Sequence, residues 1–215
     1  MRAIQPIENF VFEGLSKRMQ QVFGCICIHT NANDKTKALA RVFEGRPVVY
    51  PYMFIVLQSL SQNTDSYTTN RLARRGLVIQ TSEGQSQTVR MLPANFEFEI
   101  EYVTNKFQSL EQGSVLAFTR RWLFARRCGY LKFNIKYGRL ALWIASTLGD
   151  TVTVPTLENK VEAETAYKST VNLTVHGYLS EPELGTQGVV QDVRLNEFIV
   201  DADGSVPGSQ FFAFT

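Results

Sequence analysis

The sequence predicts an α+β fold: a mainly antiparallel sheet with two longer flanking helices packed on one face. Residues 7–22 place apolar side chains at near-four spacing, the period of an amphipathic helix, and 107–124 repeat that rhythm. Residues 96–102, 131–137 and 171–178 instead alternate apolar with polar, the period of a half-buried strand. No internal repeat and no sharp composition break divides the chain before residue 201. One α+β domain over 1–200 follows, with 201–215 as a C-terminal linker and aromatic arm.

Each element has its own warrant. Ile7, Val11, Leu15, Met19 and Val22 form one helical stripe, and Gly24 stands where a left-handed stop belongs. Cys25-Ile26-Cys27-Ile28 reads as a short strand ending in the polar turn Thr30 to Asp34, and 35–43 as a brief helix. Residues 48–57 are extended, with Pro51 confining that strand to an edge or to a start after the proline. Ser59-Leu60-Ser61-Gln62-Asn63-Thr64-Asp65 reads as a loop, followed by a basic and aromatic stretch from Tyr67 to Arg75. Residues 76–81 and 87–92 flank Ser82-Glu83-Gly84-Gln85-Ser86, the composition of a hairpin loop.

In the clearest strand, Phe96, Phe98, Ile100 and Tyr102 alternate with Glu97, Glu99 and Glu101, so one face is apolar and the other acidic. The second long helix carries Phe107, Leu110, Val115, Phe118 and Trp122, interrupted by Gly113. Leu131, Phe133, Ile135 and Tyr137 lead through Gly138-Arg139 into 140–145, a hairpin. A short strand at 151–154, a polar connection over 158–164, the strand carrying Val171, Leu173 and Val175, and an extended piece over 189–200 complete the domain.

Composition narrows the function. The chain has 215 residues with Lys plus Arg 22 against Asp plus Glu 20, a net charge of +2. That balance does not advertise a nucleic-acid or membrane-surface binder, so any basic site must be a local patch. The start lacks an apolar signal-like core, and the longest apolar run, 48–57, is too short to span a bilayer. Three cysteines cannot all pair, which suits a reducing compartment. Fifteen Phe, eight Tyr and two Trp exceed what one small core obviously absorbs, and predict an assembly subunit.

No glycine-rich phosphate loop, nucleophile elbow or zinc-helix motif is present in the sequence, and no catalytic residue and no cofactor is assigned. Cys25, Cys27 and His29 form a C-x-C-x-H array that would need Cys128 or His176 as a fourth zinc ligand; burial as small strand residues is the better reading. Glu97, Glu99 and Glu101 suit a solvated face or a neighbour's basic groups better than acid-base work. Arg71, Arg74 and Arg75 lie in one polar stretch, while Arg120, Arg121, Arg126 and Arg127 flank Trp122 and Phe124. Arginine interleaved with aromatics serves single-stranded nucleic acid or a protein interface, and an interface is favoured here. Phe211, Phe212 and Phe214 follow a Gly- and Pro-containing linker and would dock on the chain's own domain or on an adjacent subunit.

Taken in order, these pieces resemble a known family. The N-terminal helix with Phe10-Val11-Phe12-Glu13-Gly14-Leu15 running into the strand at Ile28, the polar Ser59-Leu60-Ser61-Gln62-Asn63 segment with basic residues after it, and the strand-to-helix unit 96–122 resemble the tail-completion proteins of contractile-tailed bacteriophages. These are also called sheath stabilisers or tail terminators. The closing strand Ser169-Thr170-Val171-Asn172-Leu173-Thr174-Val175-His176-Gly177-Tyr178-Leu179 is similar too. The resemblance covers most of residues 7–180 and is one of pattern and order. It implies a non-enzymatic, hexameric ring in the tail-neck region of the virion, assembled in the host cytoplasm. Its partners would be tail tube, tail sheath and neck proteins, with DNA passing through the ring without specific binding and no membrane contact. The interface residues would be Arg71, Arg74, Arg75, Glu97, Glu99, Glu101, Arg120, Arg121, Phe211, Phe212 and Phe214.

Overall fold

Helix α1 (Ile7–Phe23) opens the fold and ends where Gly24 turns left-handed at φ 66°, its N–H returning to the Gln20 carbonyl at 2.7 Å. The computed structural model describes residues 5–63, 77–80, 86–107, 112–129, 131–138, 140–153, 156–161, 164–182 and 199–200. After α1 come β1 (Ile26–Thr30), α2 (Lys35–Phe43), β2 (Tyr52–Gln62), β3 (Leu77–Gln80), β4 (Ser86–Thr104), α3 (Val115–Cys128), β5 (Phe133–Tyr137), β6 (Leu140–Leu148), β7 (Thr156–Val161), β8 (Glu164–Pro182) and β9 (Ile199–Val200).

The strands form one sheet in the order β5-β6-β8-β4-β2-β1-β9, with β3 beside β4 and β7 beside β8. Among the described strands only β1 and β2 run parallel and every other pair is antiparallel, as the α+β prediction requires. The long pair β4 and β8 is the spine, in register from Val89 opposite Pro182 to Thr104 opposite Tyr167.

Alternation sorts the side chains onto two faces. Met53, Ile55, Phe96, Phe98, Ile100, Tyr102, Val171, Leu173 and Val175 join the buried sides of α1 and α3 in one core. A smaller cluster on the opposite face packs Ile28, Tyr52, Phe54, Val56 and Val103 with Ala38 of α2. Both long helices therefore lie on one face, and among the described elements the short α2 covers the β1-β2 end of the other. Most of the described aromatics are spent inside. Phe12 meets Phe96 and Phe98 edge-on, Tyr102 stacks on Phe118 at 4.3 Å, and Trp122 is fully buried with its Nε1 donating to the Gly149 carbonyl at 3.0 Å. Among the described aromatics only Phe124 and Trp143 are exposed; Tyr67, Tyr130, Phe198, Phe211, Phe212 and Phe214 lie outside the described residues.

Four local expectations need correction. The polar run Ser59 to Gln62 is not a loop: β2 continues through it, paired with 94–97 of β4 after a register shift between Leu57 and Ser59. Its side chains are exposed on an extended strand end, which hides the strand from a hydrophobic pattern. The second long helix begins at Val115 instead of Phe107, because Gly113 sits at φ 92° and Ser114 caps the helix, its Oγ accepting from Ala117 N at 3.1 Å. The polar connection over 158–164 contains β7, while Thr151 to Thr153 form no strand. Strand β2 does begin after Pro51, as its missing N–H demands.

Candidate interaction surfaces

The part of the sheet that no described helix covers is one candidate surface. Cross-strand register puts Asn134 beside Trp143, Ala145 beside His176, His176 beside Asn95, Thr147 beside Thr174, and Thr174 beside Glu97. All lie on the face away from α1 and α3. His176 Nε2 bonds the Thr147 hydroxyl at 2.8 Å and its Nδ1 bonds Asn95 Oδ1 at 2.9 Å, tying three strands together across this open face. Glu97 accepts from the Ser59 hydroxyl at 2.6 Å and remains exposed, with Glu99 partly so. Trp143, 74% exposed, stands at the β5-β6 end between Ala141 and Ala145. A large ring left in water beside small neighbours is an unspent contact surface.

Glu101 departs from its two neighbours. It is only 4% exposed and accepts from Lys35 Nζ at 2.5 Å and from Lys168 Nζ at 3.0 Å. Burial pushes its carboxyl upward, but the hydrogen bonds and charges of the two lysines outweigh that and hold it below the ordinary value. Its charge is therefore neutralised within the chain, where it joins α2 to β4 and β8, and the acidic face open to a partner reduces to Glu97 and Glu99.

The second surface is the outer side of α3. Leu116, Arg120, Leu123, Phe124 and Arg127 recur at helical spacing and are all exposed, Phe124 at 59%. Arg121 reaches across to the end of α1, its Nη1 donating to the Val22 carbonyl at 2.9 Å, and Arg126 comes to 4.0 Å from Asp150. Between the helices Val22, Arg120, Arg121 and Phe124 line a groove of about 270 Å³. Arg126 and Arg127 occupy the last turn, where the helix dipole favours cations.

The C-x-C-x-H array does not assemble. Cys27 and His29 point inward, but His29 Nε2 donates to the Phe12 carbonyl at 3.2 Å and also meets the Ser16 hydroxyl, under the rings of Phe12 and Phe98. Burial lowers its pKa to about 4 despite that carbonyl contact. Cys27 donates weakly to the Cys25 carbonyl at 3.7 Å, and contact with Cys25 together with burial raises its thiol well above the ordinary range. Among the described residues no three His, Cys, Asp or Glu side chains converge as metal ligands.

Arg71, Arg74, Arg75, Phe211, Phe212 and Phe214 lie outside the described residues. Trp143 was not singled out from the sequence, although the alternation of Leu142 and Ile144 with Ala141 and Ala145 already puts it on the outer face. No known family model matches the chain, and no curated protein matches it. Among the described residues no helix is long and apolar enough to cross a membrane.

Proposed function

We propose that this chain is a structural subunit that assembles head to tail into a ring, and that the ring terminates a contractile phage tail, capping tube and sheath and joining them to the neck. The observation that carries the reading is a pair of carboxylates and the exposed Trp143 on one face, which Lys136 and Arg90 share, and an arginine-rich helix on the other. Glu97 and Glu99, with Trp143, lie on the open side of the sheet, whereas Arg120, Arg121, Arg126 and Arg127 lie on α3, which covers the other side. A two-fold contact through the open face would set Glu97 and Glu99 against the same face of the other copy, away from the arginines of α3. A heterologous contact sets these carboxylates of one copy against the basic helix of the next, and repeated with a closing rotation it makes a ring. The pattern resemblance to tail-completion proteins supplies the assignment to the tail-neck junction.

Mass photometry and negative-stain imaging of the purified protein, alone and mixed with sheath-bearing tails lacking their terminator, test the proposal. Closed rings, or density added at the head-proximal end of the tail, are the expected result. A chain that stays monomeric at all concentrations and adds to no tail overturns it. The exposed Phe124 among arginines also suits single-stranded nucleic acid, and affinity for an oligonucleotide falling steeply with salt would favour that reading instead.

A further inference from the structure

The groove between α1 and α3 lies in the path of the chain's own C-terminal segment. Strand β9 runs antiparallel to β1, with Ile199 opposite Ile28 and Val200 opposite Cys27. The chain leaving Val200 is therefore directed toward the start of β1, and β1 follows directly on the end of α1 at Phe23 and Gly24. Val22, in the last turn of α1, forms one wall of the groove. From Val200 to Phe211 an extended chain can reach about 35 Å, which allows the arm to turn the corner of α1.

The chemistry of arm and groove is complementary. Residues 201–215 contain Asp201, Asp203, Phe211, Phe212 and Phe214 and no Lys or Arg. The groove has an apolar floor of Val22 and Phe124 rimmed by Arg120 and Arg121, and none of its described lining residues is a carboxylate. At about 270 Å³ it is smaller than typical small-molecule sites, which run from about 300 to 1,000 Å³, and suits one or two aromatic anchors.

We propose that the aromatic arm, Phe211 to Phe214, docks in cis into the α1-α3 groove of its own subunit, its phenylalanines against Val22 and Phe124 and the Asp201 to Asp203 segment toward Arg120 and Arg121. This docking does not depend on the ring: Arg127, farther along α3, stays exposed, as does Arg126 beside Asp150.

The test uses the full-length chain with Cys128→Ser, so that the remaining native thiols, Cys25 and Cys27, are buried. Leu123→Cys beside the groove and Phe212→Cys on the arm are then joined with a short bis-maleimide. An intramolecular cross-link, seen as a faster-migrating band of monomer mass, is expected. A cross-linked dimer ladder would assign the arm to a neighbouring copy, and absence of any cross-link would show that it does not dock; either result overturns the proposal. In a second measurement, the thiol of the Leu123→Cys, Cys128→Ser chain is labelled with a bulky maleimide. Labelling should become about tenfold faster when Phe211, Phe212 and Phe214 are all changed to Ser, and equal rates would overturn the proposal.

Discussion

The Ser180 hydroxyl of β8 accepts from the Ile7 backbone N–H at 2.9 Å and donates to Glu8 Oε2 at 3.0 Å, while Glu8 Oε1 accepts from the Ser180 backbone N–H at 2.8 Å. This is the reciprocal pairing of a capping box, supplied by a residue 173 positions away. Pro6, at the cap position, has no side chain able to satisfy the free N–H groups of α1. The sheet therefore caps the helix that packs on it.

Ser180→Ala should cost about 1–2 kcal/mol of unfolding free energy, in the range of lost helix caps, without moving the rest of the fold. Glu8→Ala should cost a similar amount, and the double variant less than the sum, since both changes break one network. Urea titrations of the three variants check this. Full additivity would mean that the two side chains act separately.

The close approach of α1 to β5 makes a second prediction. A Cβ on Gly14 would meet the Phe133 ring at 2.8 Å and Ile135 Cγ2 at 3.0 Å. Gly14→Ala would ordinarily gain about 1 kcal/mol of helix propensity, but here it must displace a buried ring, and net destabilisation is expected. Trimming the ring with Phe133→Leu should recover part of the loss. A Gly14→Ala chain with a raised melting temperature would show that the ring yields freely.

How much of this was legible in the sequence follows from the range of each interaction. The stripe from Ile7 to Val22 and the alternation from Phe96 to Tyr102 encode their own elements, because the period of burial is the period of the backbone. Gly24 likewise marks its own stop. The Ser180 cap and the two lysines on Glu101 bring together residues 66 or more positions apart, and no local pattern signals such pairs. Ser59 to Gln62 mislead for a related reason: their hydrogen bonds go to β4, so they need no apolar side chains to remain extended. Of the interface candidates, Glu97 and Glu99 were readable by alternation, but which glutamate would be consumed internally depended on where α2 places Lys35.

Glu101 and its lysines should show the cost of breaking a buried pair. Glu101→Gln leaves Lys35 partly buried without this counter-charge and takes one partner from Lys168, and a loss of about 2–3 kcal/mol is expected, at the lower end for buried pairs because both lysines keep some solvent. Since the folded-state pKa lies below the unfolded one, this stabilisation is present above the ordinary carboxylate range and is lost as pH falls through it. The acid limb of the wild-type stability curve below about pH 4.5 should be shallower in the variant.

His29 acts in a separate, higher window. Its pKa falls from 6.5 in the unfolded chain to about 4 in the folded one, so between those values the unfolded state binds the additional proton. Stability should thus be at its plateau above about pH 6.5, decline on acidification toward pH 4 by on the order of 2–3 kcal/mol, and owe no further loss to this group below that. His29→Gln should flatten the curve within this window while leaving the Glu101 limb below it. A wild-type curve that is already flat from pH 6.5 to 4 would show that the ring is solvated in the folded state.

The ring proposal makes its sharpest prediction in charge exchange. Glu101 must be left untouched, because reversing it would unfold the α2 end for reasons unrelated to assembly. Glu97→Lys with Glu99→Lys alters only the open face, where exposed ion pairs contribute roughly 0–1 kcal/mol each, so the monomer's melting temperature should barely change. Assembly should be lost, because like charges then oppose each other at every junction of the ring. Arg126→Glu with Arg127→Glu should abolish assembly from the other side. Combining all four changes restores opposite charge across the junction with its sign inverted, and rings should return, weakened by raised salt like the wild type. Each double variant should fail alone, yet an equimolar mixture should form rings of alternating variants, because every mixed junction then pairs opposite charges. If the Glu97 and Glu99 reversal left assembly intact, the open face of the sheet would be merely solvated, and the head-to-tail contact would have to be sought elsewhere on the molecule.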